Sequence, residues 1–131
     1  MSTPVPIHTP YAPQAIGPYS QAMAVSGHGR TVYCSGQVAL DPLTGHMVGG
    51  DVGAQTHQVM ENLRAVLRAA GGDLEHLVKT TIFLQDLGDF AAVNQVYASF
   101  LSAPYPARAT VQVAKLPREA LVEIDGIAVI P

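Results

Sequence analysis

The stretch 51-DVGAQTHQVMENLRAVLRAAGG-72 decides the fold. In it Val52, Thr56, Val59, Met60, Leu63, Val66, Leu67 and Ala70 recur at steps of three and four, the repeat of one helix face. Asp51 is placed to cap the first turn, and Gly71 and Gly72 to end the last one in a left-handed turn. The pattern predicts an amphipathic helix of about five turns. Downstream, 77-LVKTTIFLQD-86 has strand character. Asp89 then caps a second predicted helix, with Phe90, Val93, Val96, Tyr97, Phe100 and Leu101 on one stripe, and Pro104 and Pro106 stop it. Two strands follow, 108–116 and 121–130, joined through 117-PREA-120 as an expected hairpin. Upstream, 19-YSQAMAVSG-27 and 31-TVYCSGQVAL-40 read as a second hairpin about a turn at 27-GHGR-30, and 41-DPLTGHMVGGD-51 is loop. The expected order is β-β-α-β-α-β-β: an α+β domain of two layers, a mixed sheet with two helices on one face. The other sheet face has no helix to cover it and must meet solvent or another subunit.

Nothing breaks the chain into parts. Its 131 residues suit one domain, 1–131, and twelve glycines and ten prolines fall mainly between the periodic segments. Hydrophobic residues make up 48%, enough for a core, but only 13% are charged against about 25% in a typical soluble domain. Part of the surface is therefore expected to be apolar and hidden in an oligomer. The net charge is −3 and the seven Lys and Arg residues are scattered, so no phosphate-neutralising patch points to nucleic acid. The single cysteine, Cys34, excludes an intrachain disulfide and a cysteine-based zinc site. The first residues, 1-MSTPVPIHTPYAP-13, lack a signal-type apolar core, and no apolar run is long enough to span a membrane. The expected compartment is the cytoplasm.

Two charges stand inside apolar strand patterns: Arg108 in 106-PARATVQV-113 and Glu123 in 121-LVEIDGIAVI-130. Such a charge is costly unless it has a partner or a task. Alternation puts Arg108, Thr110, Gln112 and Ala114 on one face of their strand, and Glu123, Asp125, Ile127 and Val129 on one face of theirs. An arginine there can clamp a carboxylate with two parallel hydrogen bonds, and a carboxylate nearby can orient or activate water. The plainer alternative is a structural ion pair. In a hairpin centred near residue 118, position 108 would face about 128 and Glu123 about 113, leaving the two about 17 Å apart at ~3.4 Å per residue. Direct pairing within one chain is then unexpected, and cooperation would need a neighbouring subunit.

The run 106-PARATVQVAKL-116 followed by 122-VEI-124 resembles the signature of the RidA (YjgF) family, the reactive intermediate deaminases. So do 16-IGPYSQA-22, 35-SGQ-37, 89-DF-90 and 94-NQVYASF-100, in the family's order over about residues 7 to 130. The resemblance implies a chorismate-mutase-like fold and a homotrimer whose helix-free sheet faces form a central barrel, with clefts between subunits. It implies hydrolysis of 2-imino or enamino acids such as 2-iminobutanoate and 2-iminopropanoate to 2-keto acids and ammonia, without metal or cofactor. By position, Arg108 would grip the substrate carboxylate, Glu123 would position or activate water, and Tyr19 would offer its hydroxyl. Ser35, Gly36 and Asn94 would line or support the pocket, and the backbone near Thr110 would help hold the ligand. The chain departs from the family pattern at Thr110, where many relatives carry cysteine, and in a shorter 101-LSAPYP-106.

The remaining candidates have plainer readings. Cys34 has no identifiable base and reads as a buried, inert thiol. His8, His28, His46, His57 and His76 match no common metal spacing. Tyr19 could be packing, Asn94 a hydrogen bond to a loop, and Gly36 and Gly126 bulges or close backbone approaches. Two further functions stay open at this point: a non-catalytic binder of small carboxylates, and a ribonuclease or translation inhibitor, against which the acidic charge balance argues.

Overall fold

A computed structural model describes residues 4–27 and 29–131. Strands β3 (Arg30–Gln37), β4 (Leu77–Leu84), β5 (Ala107–Gln112) and β6 (Val122–Ile130) form one sheet in the order β3-β6-β4-β5. Only β4 and β5 run parallel; β6 is antiparallel to both its neighbours. Helices α1 (Val52–Ala69) and α2 (Phe90–Ser99) lie against one face. This is the expected mixed sheet with two helices. A separate antiparallel pair, β1 (Val5–Ile7) with β2 (Ala22–Ala24), completes the chain.

The core is most of the stripe read from the sequence; Val66, 39% exposed, and the half-buried Ala70 fall outside it. Val59, Met60, Leu63 and Leu67 of α1 are fully buried against Ile82, Leu84, Val122, Ile124 and Ala128 of the sheet. Both ends of α1 are closed as expected. Asp51 Oδ1 accepts from the Ala54 amide at 3.0 Å. At the other end Gly72 N donates to Leu67 O at 2.9 Å and Gly71 N to Arg68 O at 3.0 Å, the paired bonds of a Schellman stop. Gly71 takes φ 92°, where any side chain would be strained.

Three expectations need correction. First, 19–27 and 31–40 are not a hairpin: β2 pairs with β1, and β3 pairs with β6. The first strand escapes a sequence reading because Pro4 and Pro6 flank and interrupt it. The proposed turn includes His28, which lies outside the described residues. Second, 108–116 and 121–130 are not neighbours, since β4 separates β5 from β6. The reason is burial. Every second residue of β6 is buried, which suits the interior of the sheet, whereas Ala109, Val111 and Gln112 leave β5 exposed, as an edge strand can be. The link between them turns through Arg118 and Glu119, both with positive φ (58° and 55°). Third, Asp89 makes no cap bond to α2; Asp86 accepts from the Gly88 amide at 2.8 Å and starts a 3-10 turn (Leu87–Asp89) that runs straight into the helix.

The helix-free face carries Glu123, Asp125, Ile127 and Val129, half-buried, with Tyr33 (76% exposed) and Val111 (42%) beside them. Among the described residues no helix is long and apolar enough to cross a membrane.

Candidate functional site

Arg108 is the second residue of β5, in register with Thr80 of β4, which is in turn in register with Gly126 of β6. Thr80 is fully buried and its hydroxyl lies 2.7 Å from the Tyr97 hydroxyl of α2, so this row faces the helices. Arg108 therefore rises between the sheet edge and α2. Asn94 Oδ1 accepts from Arg108 Nη1 at 2.7 Å. The guanidinium carbon stands 5.5 Å from the Phe90 ring centre and 5.4 Å from that of Tyr97. Phe90, Asn94 and Tyr97 are spaced by four and three residues, one face of one helix.

The third wall comes from the N-terminal segment. Ser20 N donates to Pro106 O at 3.1 Å, and its hydroxyl donates to Tyr105 O. These bonds fasten the tight turn Gly17–Pro18–Tyr19 beside the start of β5. The Tyr19 ring centre then lies 5.2 Å from the Arg108 guanidinium. Three electron-rich ring faces within about 6 Å stabilise a cation without neutralising it.

The electrostatics leave the Arg108 guanidinium without a counter-ion among the described residues. The ion pairs among the described residues are Arg64–Glu61 and Arg68–Asp73; neither involves Arg108. Burial pulls the Arg108 pKa below its usual value, and Tyr97 and Tyr19 oppose that shift. An arginine so placed stays charged, and one of its five N–H donors is committed to Asn94. Thr110 lies two residues on, on the same face, with its Oγ1 buried and without a hydrogen-bond partner among the described residues.

Glu123 is elsewhere. It is in register with Phe83 and points to the helix-free face, packed against Gly36. A Cβ at Gly36 would come within 2.8 Å of the Glu123 carboxyl carbon. Gly36 and the exposed Ser35 sit in the irregularity that interrupts the β3–β6 register between Cys34 and Gln37. The bulge and close approach expected at Gly36 are thus present. Gly126 is equally tight, since a Cβ there would meet Leu77 Cδ2 at 2.7 Å.

The structure thus brings Arg108, Tyr19, Asn94 and Thr110 together on one face, and Glu123, Ser35 and Gly36 on the other. Two strand spacings and three residues of register separate Arg108 from Glu123, about 14 Å between backbones. β5 and β6 are not hairpin neighbours, yet Arg108 and Glu123 are apart as expected. The sequence does not single out Phe90 and Tyr97 beside Arg108, because an aromatic at helical spacing reads as core. The available signal was Asn94 set between them on the same stripe.

Cys34 is buried, and burial first, then Asp125, push its thiol pKa up, away from nucleophilic use. A cavity of about 400 Å³ among Met23, Leu74, Leu77, Phe100 and Leu101 excludes Arg108, as does one of about 320 Å³ beside Cys34 and Asp125 on the helix-free face. Among the described residues, no group of three or more His, Cys, Asp or Glu is gathered to hold a metal ion.

Comparison with known proteins gives concordant matches. The family model described as endoribonuclease L-PSP matches residues 9–130. Protein DfrA of Myxococcus xanthus is 59% identical over 123 residues, covering 94% of this chain and 93% of its own. A 2-iminobutanoate/2-iminopropanoate deaminase of Mus musculus is 50% identical over 123 residues, covering 94% and 89%. The crystal structure of RidA from an Antarctic Psychrobacter superposes with a TM-score of 0.75 at 50% identity, covering 95% of this chain and 98% of the other.

Proposed function

Starting from a chain that belongs to the RidA (YjgF) family, we propose that it is a cytoplasmic deaminase of reactive 2-imino acids. The observation that carries this reading is Arg108: a charged, half-buried guanidinium walled by three aromatic rings, with no carboxylate partner among the described residues. Such a group is built to receive an anion. Its remaining donors would grip the carboxylate of 2-iminobutanoate or 2-iminopropanoate. Tyr19 would close over the bound molecule, and the backbone near Thr110 would hold its carboxylate end.

The chemistry asks little of the protein. Water adds to the C=N carbon, the nitrogen gains a proton, and the tetrahedral adduct expels ammonia to leave the 2-keto acid. A protonated imine is already electrophilic, so holding the acid and placing the water is enough, and no cofactor is called for. Glu123 would take the proton from that water. Because Glu123 lies across the sheet from Arg108 of its own chain, it would serve the Arg108 of a second copy. A homotrimer joined through the helix-free faces, with its clefts between subunits and Ser35 and Gly36 lining the Glu123 side, would supply that juxtaposition.

The test generates 2-iminobutanoate in situ with semicarbazide as competitor. Wild type should suppress the semicarbazide adduct, and Arg108→Ala should not, while remaining folded and assembled. Adduct formation unaffected by wild type across several imino acids would refute the deaminase reading. One observation favours a second reading: a single chain gathers Arg108, Asn94 and Tyr19 on one face and leaves Glu123 on the other. A non-catalytic receptor for 2-keto acids would need only the grip, and it predicts saturable binding without turnover. A ribonuclease role, suggested by the family model's description, sits poorly with a net charge of −3 and scattered cations.

A further inference from the structure

Beneath the Arg108 guanidinium lies a polar pair with no evident purpose in the core. The Thr80 and Tyr97 hydroxyls are 2.7 Å apart and both residues are fully buried. A buried hydroxyl pair adds little to stability, since replacing both partners by apolar groups of the same shape is often nearly neutral. What the pair does is fix a ring. The hydroxyl bond ties the Tyr97 ring to the strand residue that is in register with Arg108, and that ring forms the wall 5.4 Å from the guanidinium. Asn94, one turn back on the same helix, holds Nη1 from the side. Two fixed points on α2 and one on β4 thus set the plane in which the remaining donors point.

We infer that Thr80 and Tyr97 are positioning residues: their hydroxyl pair locks the ring against which Arg108 is held, and so sets the fork that receives a carboxylate. The inference rests on the proposed reading of Arg108 as a carboxylate receptor, and adds two residues that never touch the ligand. Bidentate recognition needs both N–H vectors aligned, so a loosened ring weakens the grip even where the charge is kept.

The experiment titrates 2-ketobutanoate, the product expected from 2-iminobutanoate, into wild type and into the double variant Thr80→Val/Tyr97→Phe by calorimetry, with arginine side-chain N–H spectra recorded alongside. The variant should melt within a few degrees of wild type, bind roughly tenfold more weakly, and show its Arg108 Nη signals averaged by faster rotation. Thr80→Ser, which keeps the hydroxyl, should bind within about twofold of wild type. A folded double variant with wild-type affinity overturns the inference. So does a distant core variant, Leu67→Ala, that loses the same affinity through general softening. Should the double variant not fold, Tyr97→Phe alone is held to the same affinity and spectral criteria. Wild type failing to bind 2-ketobutanoate overturns the carboxylate reading itself, and this inference with it, which is a different result from wild type and variant binding alike.

Discussion

On the proposed reading Arg108 concentrates the chemistry in one side chain, and the residues around it can be tested one at a time. Asn94→Ala removes one hydrogen bond to the guanidinium and leaves the aromatic walls in place. It should raise the KM for imine turnover roughly tenfold with a smaller change in kcat, because a charge-assisted hydrogen bond is worth about 1.5–3 kcal/mol at most. Steady-state kinetics read this directly; an unchanged KM would show that Asn94 holds nothing. Thr110 makes the opposite point. Its Oγ1 is buried without a partner among the described residues, so Thr110→Val should keep or raise the melting temperature, by the worth of about 1 kcal/mol at most. A marked loss of stability on calorimetry would mean that the hydroxyl has a partner in the assembled protein. Arg108 and Glu123 were legible from sequence because a charge in an apolar strand is conspicuous. Phe90, Tyr97 and Thr80 were not, because an aromatic stripe and a threonine in a strand are what any core contains.

At the scale of elements, the existence of the two helices and the four main strands is legible locally, and the strand pairings are not. The helix over 52–69 carries its period, its Asp51 cap and its Gly71–Gly72 stop within itself. Gly71→Ala should accordingly destabilise by about 1 kcal/mol, read as a shifted urea midpoint with unchanged slope. Both expected hairpins failed, because strand neighbours are chosen by burial across the sheet rather than by nearness in sequence. Asp89 makes no side-chain cap bond to α2 for a local reason: a 3-10 turn, capped by Asp86, runs into the helix ahead of it. Just past α1, Asp73 caps a further 3-10 turn, accepting from the Leu74 amide at 2.7 Å and from Arg68 Nε at 2.9 Å. The Leu74 amide first, and Arg68 after it, hold the Asp73 carboxyl below its usual range. A depressed folded pKa stabilises the protein above the unfolded value near 3.8 and loses that contribution as pH falls through the folded one. Asp73→Asn should therefore flatten the acid limb of the stability curve below about pH 4 and lower stability at pH 7, as denaturant melts across pH would show.

The whole molecule is set by its uncovered sheet face. A composition of 13% charged residues leads to the expectation of apolar surface hidden in an oligomer, and the helix-free face carries Tyr33, Val111, Ile127 and Val129, which such an assembly would cover. Ile127→Lys places a charge on it without touching the core, and should convert an oligomer to monomer on light scattering while the helical circular dichroism is kept. The same variant should lose turnover, since Glu123 could no longer reach the Arg108 of another copy.

That dependence is also the sharpest test. Arg108→Ala and Glu123→Ala are each expected to be inactive alone. Unfolded together in equal amounts and refolded as mixed oligomers, they should recover about a quarter of wild-type imine turnover, because random assembly leaves that share of clefts with both side chains intact. Mixed oligomers that form, as native mass spectrometry would report, and yet remain inactive would contradict a site shared between copies.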